Sequence, residues 1–166
     1  MSSINNKPDY LYRSGVGIMV INKNKEIFVA KRVGNNGKAW QMPQGGIDVG
    51  ESEDLAMFRE LKEETSIDNI KIISVSKKYL YYNLPYNLQK RFWGGKYLGQ
   101  RQKWYLVEFL GDDKDINIET KEPEFSEWKW VKQEELIESV VAFKREIYVE
   151  IIEEFKDFFD IDTNTK

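Results

Sequence analysis

A glycine-punctuated loop that runs straight into a glutamate-rich helix constrains this chain more than any other segment. Gly45-Gly46-Ile47-Asp48-Val49-Gly50-Glu51 is followed by Ser52, a residue type that caps helices. Glu53 and Asp54 come next and suit the positive end of a helix dipole. The helix so begun ends in Arg59-Glu60-Leu61-Lys62-Glu63-Glu64. At about 100° per residue, Glu60, Glu63 and Glu64 share an arc of about 100°, with Leu55, Phe58 and Leu61 opposite as the expected buried face. Like charges at these spacings weaken an isolated helix by roughly 0.2–0.5 kcal/mol per pair; a cation held between them reverses that sign. Read from the residues alone, such a face is either solvated or built for a metal. Gly45, Gly46 and Gly50 form a loop that can bring backbone groups close to a metal or phosphate. Arg59, one turn before Glu63, can pair with the carboxylates and hold their rotamers.

Around this segment the hydrophobic period changes twice. Val16-Gly17-Ile18-Met19-Val20-Ile21 and Ile27-Phe28-Val29-Ala30 are apolar runs separated by Asn22-Lys23-Asn24-Lys25, which reads as a β-hairpin with a buried first strand. Gly34, Asn35, Asn36 and Gly37 mark a loop. Ile70–Val75, Trp104–Leu110 and Trp128–Val131 read as further strands. From Gln133 to Phe159, Leu136, Val140, Phe143, Ile147, Ile151 and Phe155 recur every three or four residues, which predicts one long amphipathic helix. Strands mixed with two helices suggest an α+β fold, a sheet covered by helices. The 166 residues fit one domain, expected over residues 10–159, with polar termini 1–9 and 160–166 that fray.

Two absences narrow the chemistry. With no Cys there is neither a disulfide nor a thiolate site, and with no His there is no imidazole base or ligand. Any metal must be held by oxygen, which favours Mg²⁺ or Mn²⁺, and acid–base work falls to carboxylates, Lys or Tyr. The amino terminus lacks the apolar run of a signal peptide, and no stretch approaches the ~18 apolar residues that span a bilayer. A cytoplasmic protein without a membrane partner is the expectation.

Gly45, five residues, Glu51, seven residues, then Arg59-Glu60-Leu61-Lys62-Glu63-Glu64 resembles the signature of the Nudix hydrolases. Ser66 stands where that family usually has a glycine that serves the helix-ending turn. Trp40 to Gly46, Gly99 to Trp104, Pro123-Glu124-Phe125 with Trp128-Lys129-Trp130, and Phe143-Lys144-Arg145 extend the resemblance to the bacterial RNA pyrophosphohydrolase branch, over about Tyr12 to Phe159. The resemblance implies an α/β/α sandwich around a mixed β-sheet and Mg²⁺- or Mn²⁺-dependent cleavage of a nucleoside-linked polyphosphate. It makes Glu60, Glu63, Glu64 and Glu124 metal ligands together with the carbonyl of Gly45, with Glu51 bracing the loop. Glu64 and Glu124 are both candidates for the general base, with Glu63 and Arg59 beside them in the catalytic set. Arg13, Arg32 and Lys144 are candidate phosphate cations. Gln41, Tyr82, Arg101, Lys103 and Phe143 complete the implied substrate contacts.

The formal net charge of −3, from 25 basic and 28 acidic residues, conceals a polarised chain. Gly45 to Ile67 holds seven acids against two bases, whereas Lys77 to Lys103 holds seven basic residues, seven aromatics and no acid. Cations interleaved with rings suit single-stranded nucleic acid; the same segment also reads as a loop whose tyrosines pack on the fold. Three functions are therefore expected to compete. The first converts 5′-triphosphorylated RNA to the 5′-monophosphate and so promotes RNA decay. The second hydrolyses dinucleoside oligophosphates such as diadenosine tetraphosphate. The third is a non-catalytic RNA-binding module, which the intact glutamate set disfavours.

Overall fold

A computed structural model describes residues 8–34 and 39–164. The early apolar runs form the expected hairpin, β1 (Tyr12–Ile21) and β2 (Ile27–Arg32), antiparallel with Ile21 opposite Ile27. Five further strands follow: β3 (Gln44–Gly46), β4 (Ile70–Val75), β5 (Leu80–Asn83), β6 (Gly99–Phe109) and β7 (Phe125–Val131). They join one sheet in the order β4-β6-β1-β2-β7, with β3 added to β1 and β5 to β6. β1 and β6 run parallel while the other pairs are antiparallel, so the sheet is mixed.

Alternation along the central strands divides the core into two layers. Val16, Ile18 and Val20 with Tyr105 and Val107 face the helix α1 (Glu53–Thr65), meeting Met57 and Leu61. Met19, Ile21, Trp104 and Leu106 face the opposite way, onto Leu136, Ile147, Tyr148 and Ile151. The latter four belong to α3 (Gln133–Ser139) and α4 (Arg145–Glu154); the four-residue α2 (Tyr86–Gln89) lies in the basic, aromatic segment, and α5 (Lys156–Asn164) ends the described chain. Helices on both faces of a mixed sheet make the α+β sandwich expected from the sequence.

Two expectations are corrected. The single helix over Gln133–Phe159 is instead α3, a 3₁₀ turn at Ala142–Lys144, α4 and α5. Ser139 turns its hydroxyl back to the carbonyls of Glu135 and Leu136, and Val140 is extended at φ −81°, ψ 153°, so α3 stops there. Leu136, Val140, Ile147, Ile151 and Phe155 are nonetheless all buried, because the breaks keep one apolar side against the sheet. The segment Lys77 to Lys103 is not one loop: it contains β5, α2 and the start of β6. Of the termini, residues 1–7 and 165–166 lie outside the described residues, as do Asn35, Asn36 and Gly37 of the expected loop. Asp9 begins a 3₁₀ turn. No described helix is long and apolar enough to cross a membrane.

Candidate active site

The short strand β3 sets Gly46 opposite Gly15 and Gly45 opposite Val16 on β1. Side chains from elsewhere lie directly on these glycines. A Cβ at Gly45 would stand 2.0 Å from the carboxyl carbon of Glu60, and one at Gly46 would stand 2.1 Å from Arg13 Nη2. A side chain at either position would have to displace Glu60 or Arg13 from its place. α1 starts where Ser52 Oγ accepts the Leu55 N–H at 3.2 Å, as the cap signal predicts. Its buried residues are Ala56, Met57, Leu61, Glu64 and Thr65; of the expected Leu55, Phe58 and Leu61 only Leu61 is among them, and Leu55 is 62% and Phe58 40% exposed. Small Ala56 and the 57-61-64 spacing let the helix settle with its inner face rotated toward the glutamates. That rotation carries Glu64 inside, at 7% exposure, and leaves Glu63 on the outer side.

Arg59 organises the carboxylates around it. Its Nε and Nη2 donate to the two oxygens of Glu51 at 2.7 and 2.9 Å, Nη2 also donates to the Gly46 carbonyl at 2.9 Å, and Nη1 donates to Glu60 at 2.8 Å and Glu63 at 2.9 Å. The guanidinium and the Asp48 N–H hold the Glu51 carboxyl down at about 2. Loop and helix are thus tied through one cation. Glu60, largely buried, has its pKa raised by that burial, with Arg59 opposing.

Glu64 is different. Its Oε1 is buried with no hydrogen-bond partner, while the Gln44 backbone N–H supports the carboxylate. Burial, then the nearby charges of Glu60 and Glu124, raise its pKa well above the usual carboxylate range, against Arg32. Among the described residues no three acids converge into a finished ligand set; Arg59 takes up Glu60 and Glu63 instead. The residues still fit a divalent cation. An orphaned buried carboxylate oxygen with two further carboxylates acting on it, beside a glycine cradle under Glu60, is an all-oxygen donor set that suits a hard ion.

These acids border a cavity of about 410 Å³. Glu60, Glu64 and Glu124 lie on one side with Gly45 and Gly46; Arg13, Arg32 and Lys144 bring positive charge to it, and Gln41, Tyr82 and Phe143 also line it. Arg32 pairs with Glu124 at 3.6 Å, and Arg13 lies over the Trp93 ring, 5.2 Å from its centroid. Lys144 Nζ donates to Gln44 Oε1 at 3.2 Å, and burial with the Arg32 charge lowers its pKa to about 7.

Arg101 and Lys103 do not reach this cavity. Alternation along β6 turns them to the α1 side, where Arg101 lies 3.6 Å and Lys103 5.3 Å from the centroid of Tyr79; Arg101 also donates to Ser14 Oγ. The Tyr79 hydroxyl donates to Glu53 at the start of α1. Gln44, which sequence reasoning passed over, connects the site. Its side chain accepts from Lys144 and donates to Tyr82 Oη at 3.2 Å, and its backbone N–H reaches Glu64. Its place beside the glycine pair was the available signal. Trp93, on a left-handed backbone at φ 51°, walls the cavity unforeseen.

A cavity lined by three cations and by Glu60, Glu64 and Glu124, of which Glu64 is buried, has the charge to receive a polyanion and a carboxylate to act on water. The family model of the NUDIX domain matches residues 11–151. A protein of Pelagibacter ubique (strain HTCC1062) named RNA pyrophosphohydrolase is 48% identical over 93% of this chain and 98% of its own length. One of the same name from Orientia tsutsugamushi (strain Boryong) is 44% identical over 95% and 96%. Among solved structures, the E. coli dihydroneopterin triphosphate pyrophosphohydrolase superposes with a TM-score of 0.67 at 17% identity, over 84% of this chain and 96% of that one. A C. elegans Ap4A hydrolase gives 0.60 at 20%, over 88% and 98%. These two likenesses speak to the fold.

Proposed function

The chain belongs to the NUDIX domain family, and from that premise we propose that it is an RNA pyrophosphohydrolase, a single domain over residues 10–159. In the proposed reaction, water adds across the anhydride between the α- and β-phosphorus of 5′-triphosphorylated RNA. That P–O–P linkage breaks, pyrophosphate leaves, and the RNA keeps a 5′-monophosphate open to decay. The observation that carries this reading is the meeting of Arg13, Arg32 and Lys144 in one cavity with the buried Glu64, whose Oε1 has no hydrogen-bond partner.

Arg13, Arg32 and Lys144 receive the phosphates, and Lys144 gains proton affinity when an anion replaces part of its lost hydration. Glu60, Glu64 and Glu124, with the Gly45 carbonyl, would hold Mg²⁺ or Mn²⁺, and Glu63 would stand at the outer rim of that set. The ion supplies charge neutralisation of the polyphosphate and a lowered pKa for water. Of the two candidate bases, Glu64 takes the proton of the attacking water, since its burial raises its proton affinity, whereas Glu124 is exposed and paired with Arg32. Arg59 and Glu51 keep the loop fixed to α1 so that Gly45 and Glu60 stay in contact. Phe143, tilted against Tyr82 at 6.1 Å between centroids, offers a ring to the first bases.

The test incubates the protein with 5′-triphosphorylated RNA and Mg²⁺ and separates the products. Pyrophosphate with monophosphorylated RNA supports the proposal; binding without cleavage would leave an RNA-binding module.

A further inference from the structure

A larger cavity of about 860 Å³, which the hydrolysis itself does not use, follows β5 along one edge of the sheet. Lys77, Lys78 and the β5 residues form one side, and Ile147 and Glu150 of α4 the other. Among the described strands β5 pairs with β6 alone, so its outer edge is open to this space. Tyr82 and Phe143 line both cavities, so the two adjoin at that pair of rings. A polymer whose 5′ end sits among Arg13, Arg32 and Lys144 meets this second cavity next, on the far side of Phe143.

We propose that this groove carries the RNA chain downstream of its triphosphorylated end, with phosphates on Lys77 and Lys78. The inference rests on the RNA reading above. Both lysines are exposed. Glu146 and Glu150 line the helix side, where the Lys78 charge acts on Glu150, and Lys103 adds a third base to the strand side, so a polyanion is drawn to the strand. The Tyr79 ring is already covered by Arg101 and Lys103, and its hydroxyl is bound by Glu53, so it is not free to stack on a base. Attraction in this tract is therefore electrostatic, blind to sequence and sensitive to salt.

The experiment compares kcat/KM for a 5′-triphosphorylated dinucleotide and for a triphosphorylated RNA of about a dozen nucleotides, the span of a single-strand binding site. Wild type and the double variant Lys77→Gln/Lys78→Gln are each measured over a range of salt. The double variant is expected to lower the long-to-short ratio about five- to tenfold, at roughly one surface ion pair per lysine. Its log–log salt slope on the long RNA should fall by about 1.4, or 0.7 for each of two contacts. Wild-type ratio and slope in the double variant would overturn the proposal; an extended peptide added to the open β5 edge would give that outcome. If wild type releases no pyrophosphate from either RNA, the RNA reading falls and takes the groove with it. Release by wild type with an unchanged ratio removes the groove alone.

Discussion

Arg59 donates five hydrogen bonds, three to the loop at Glu51 and Gly46 and two to Glu60 and Glu63. Its bond to Glu51 has a readable pH signature. The Glu51 carboxyl stands at about 2 against an ordinary 4.5, so its stabilisation is complete above the ordinary value and is lost as the pH falls from there toward 2. Wild type should unfold at higher urea than Glu51→Gln near neutral pH, and the gap should close as the pH falls through that window. The other carboxylates titrate in both proteins and cancel in the difference, so a gap independent of pH would refute the assignment. Among the glutamates, burial ranks the losses. Glu64→Gln is expected to cost about a hundredfold or more in turnover, since it removes a charge at the centre of the site. Glu63→Gln should cost less, because that side chain is 56% exposed and bound to Arg59. Unfolding in the presence of a chelator should show Glu64→Gln at least as stable as wild type, because it replaces a carboxyl whose ionised form is disfavoured by burial and by Glu60 and Glu124. Equal losses at the two positions would contradict this ranking.

At the scale of elements, what was legible in the sequence and what was not have distinct causes. The hairpin, Ser52 as cap and the strand Ile70–Val75 were readable because local pattern decides them. The phase of α1 was not: Leu55 and Phe58 look like a buried stripe, yet contact with β1 and β3 turns Met57 and Glu64 inward. β3 and β5 escaped because three- and four-residue strands are defined by their partners rather than by periodicity. Which β6 residues face the cavity was hidden for the same reason, since register alone sends Gln100 to it and Arg101 away. The departure at Ser66 resolves into a cap. Ser66 takes the left-handed conformation, φ 67° and ψ 6°, donates its N–H to Lys62 and bonds through its hydroxyl to the Asn117 carbonyl. Ser66→Gly loses that hydroxyl but also the strain of a Cβ, whereas Ser66→Ala loses the hydroxyl and keeps the strain. Equilibrium unfolding should therefore place the Gly variant above the Ala variant by about 1 kcal/mol, and the reverse order would dismiss the strain. At Gly45 the balance is the opposite: Gly45→Ala pushes Glu60 away from Arg59 and should cost about 1 kcal/mol in the same measurement.

Over the whole molecule, charge is arranged as a gradient rather than balanced. Acids gather on α1 and its loop, and bases in the turns that flank β5 and α2 (Lys77, Lys78, Lys90, Arg91, Lys96) and on β6 (Arg101, Lys103); the reaction cavity takes its lining from both regions. In the proposed reaction a polyanionic chain would approach from the basic side with its reactive end against the acids, and a divalent cation would reconcile the two charges of like sign. The catalytic need for such an ion and the preference for RNA are separate claims of one account, and one assay addresses both. Purified protein is given 5′-triphosphorylated RNA and diadenosine tetraphosphate side by side, with and without Mg²⁺, and kcat/KM is measured for each. The account predicts turnover only with the ion, pyrophosphate and monophosphorylated RNA as products, and a kcat/KM for RNA at least about tenfold above that for the dinucleotide, a margin of about 1.4 kcal/mol. Turnover undiminished without divalent ions, or a preference for diadenosine tetraphosphate, would contradict it.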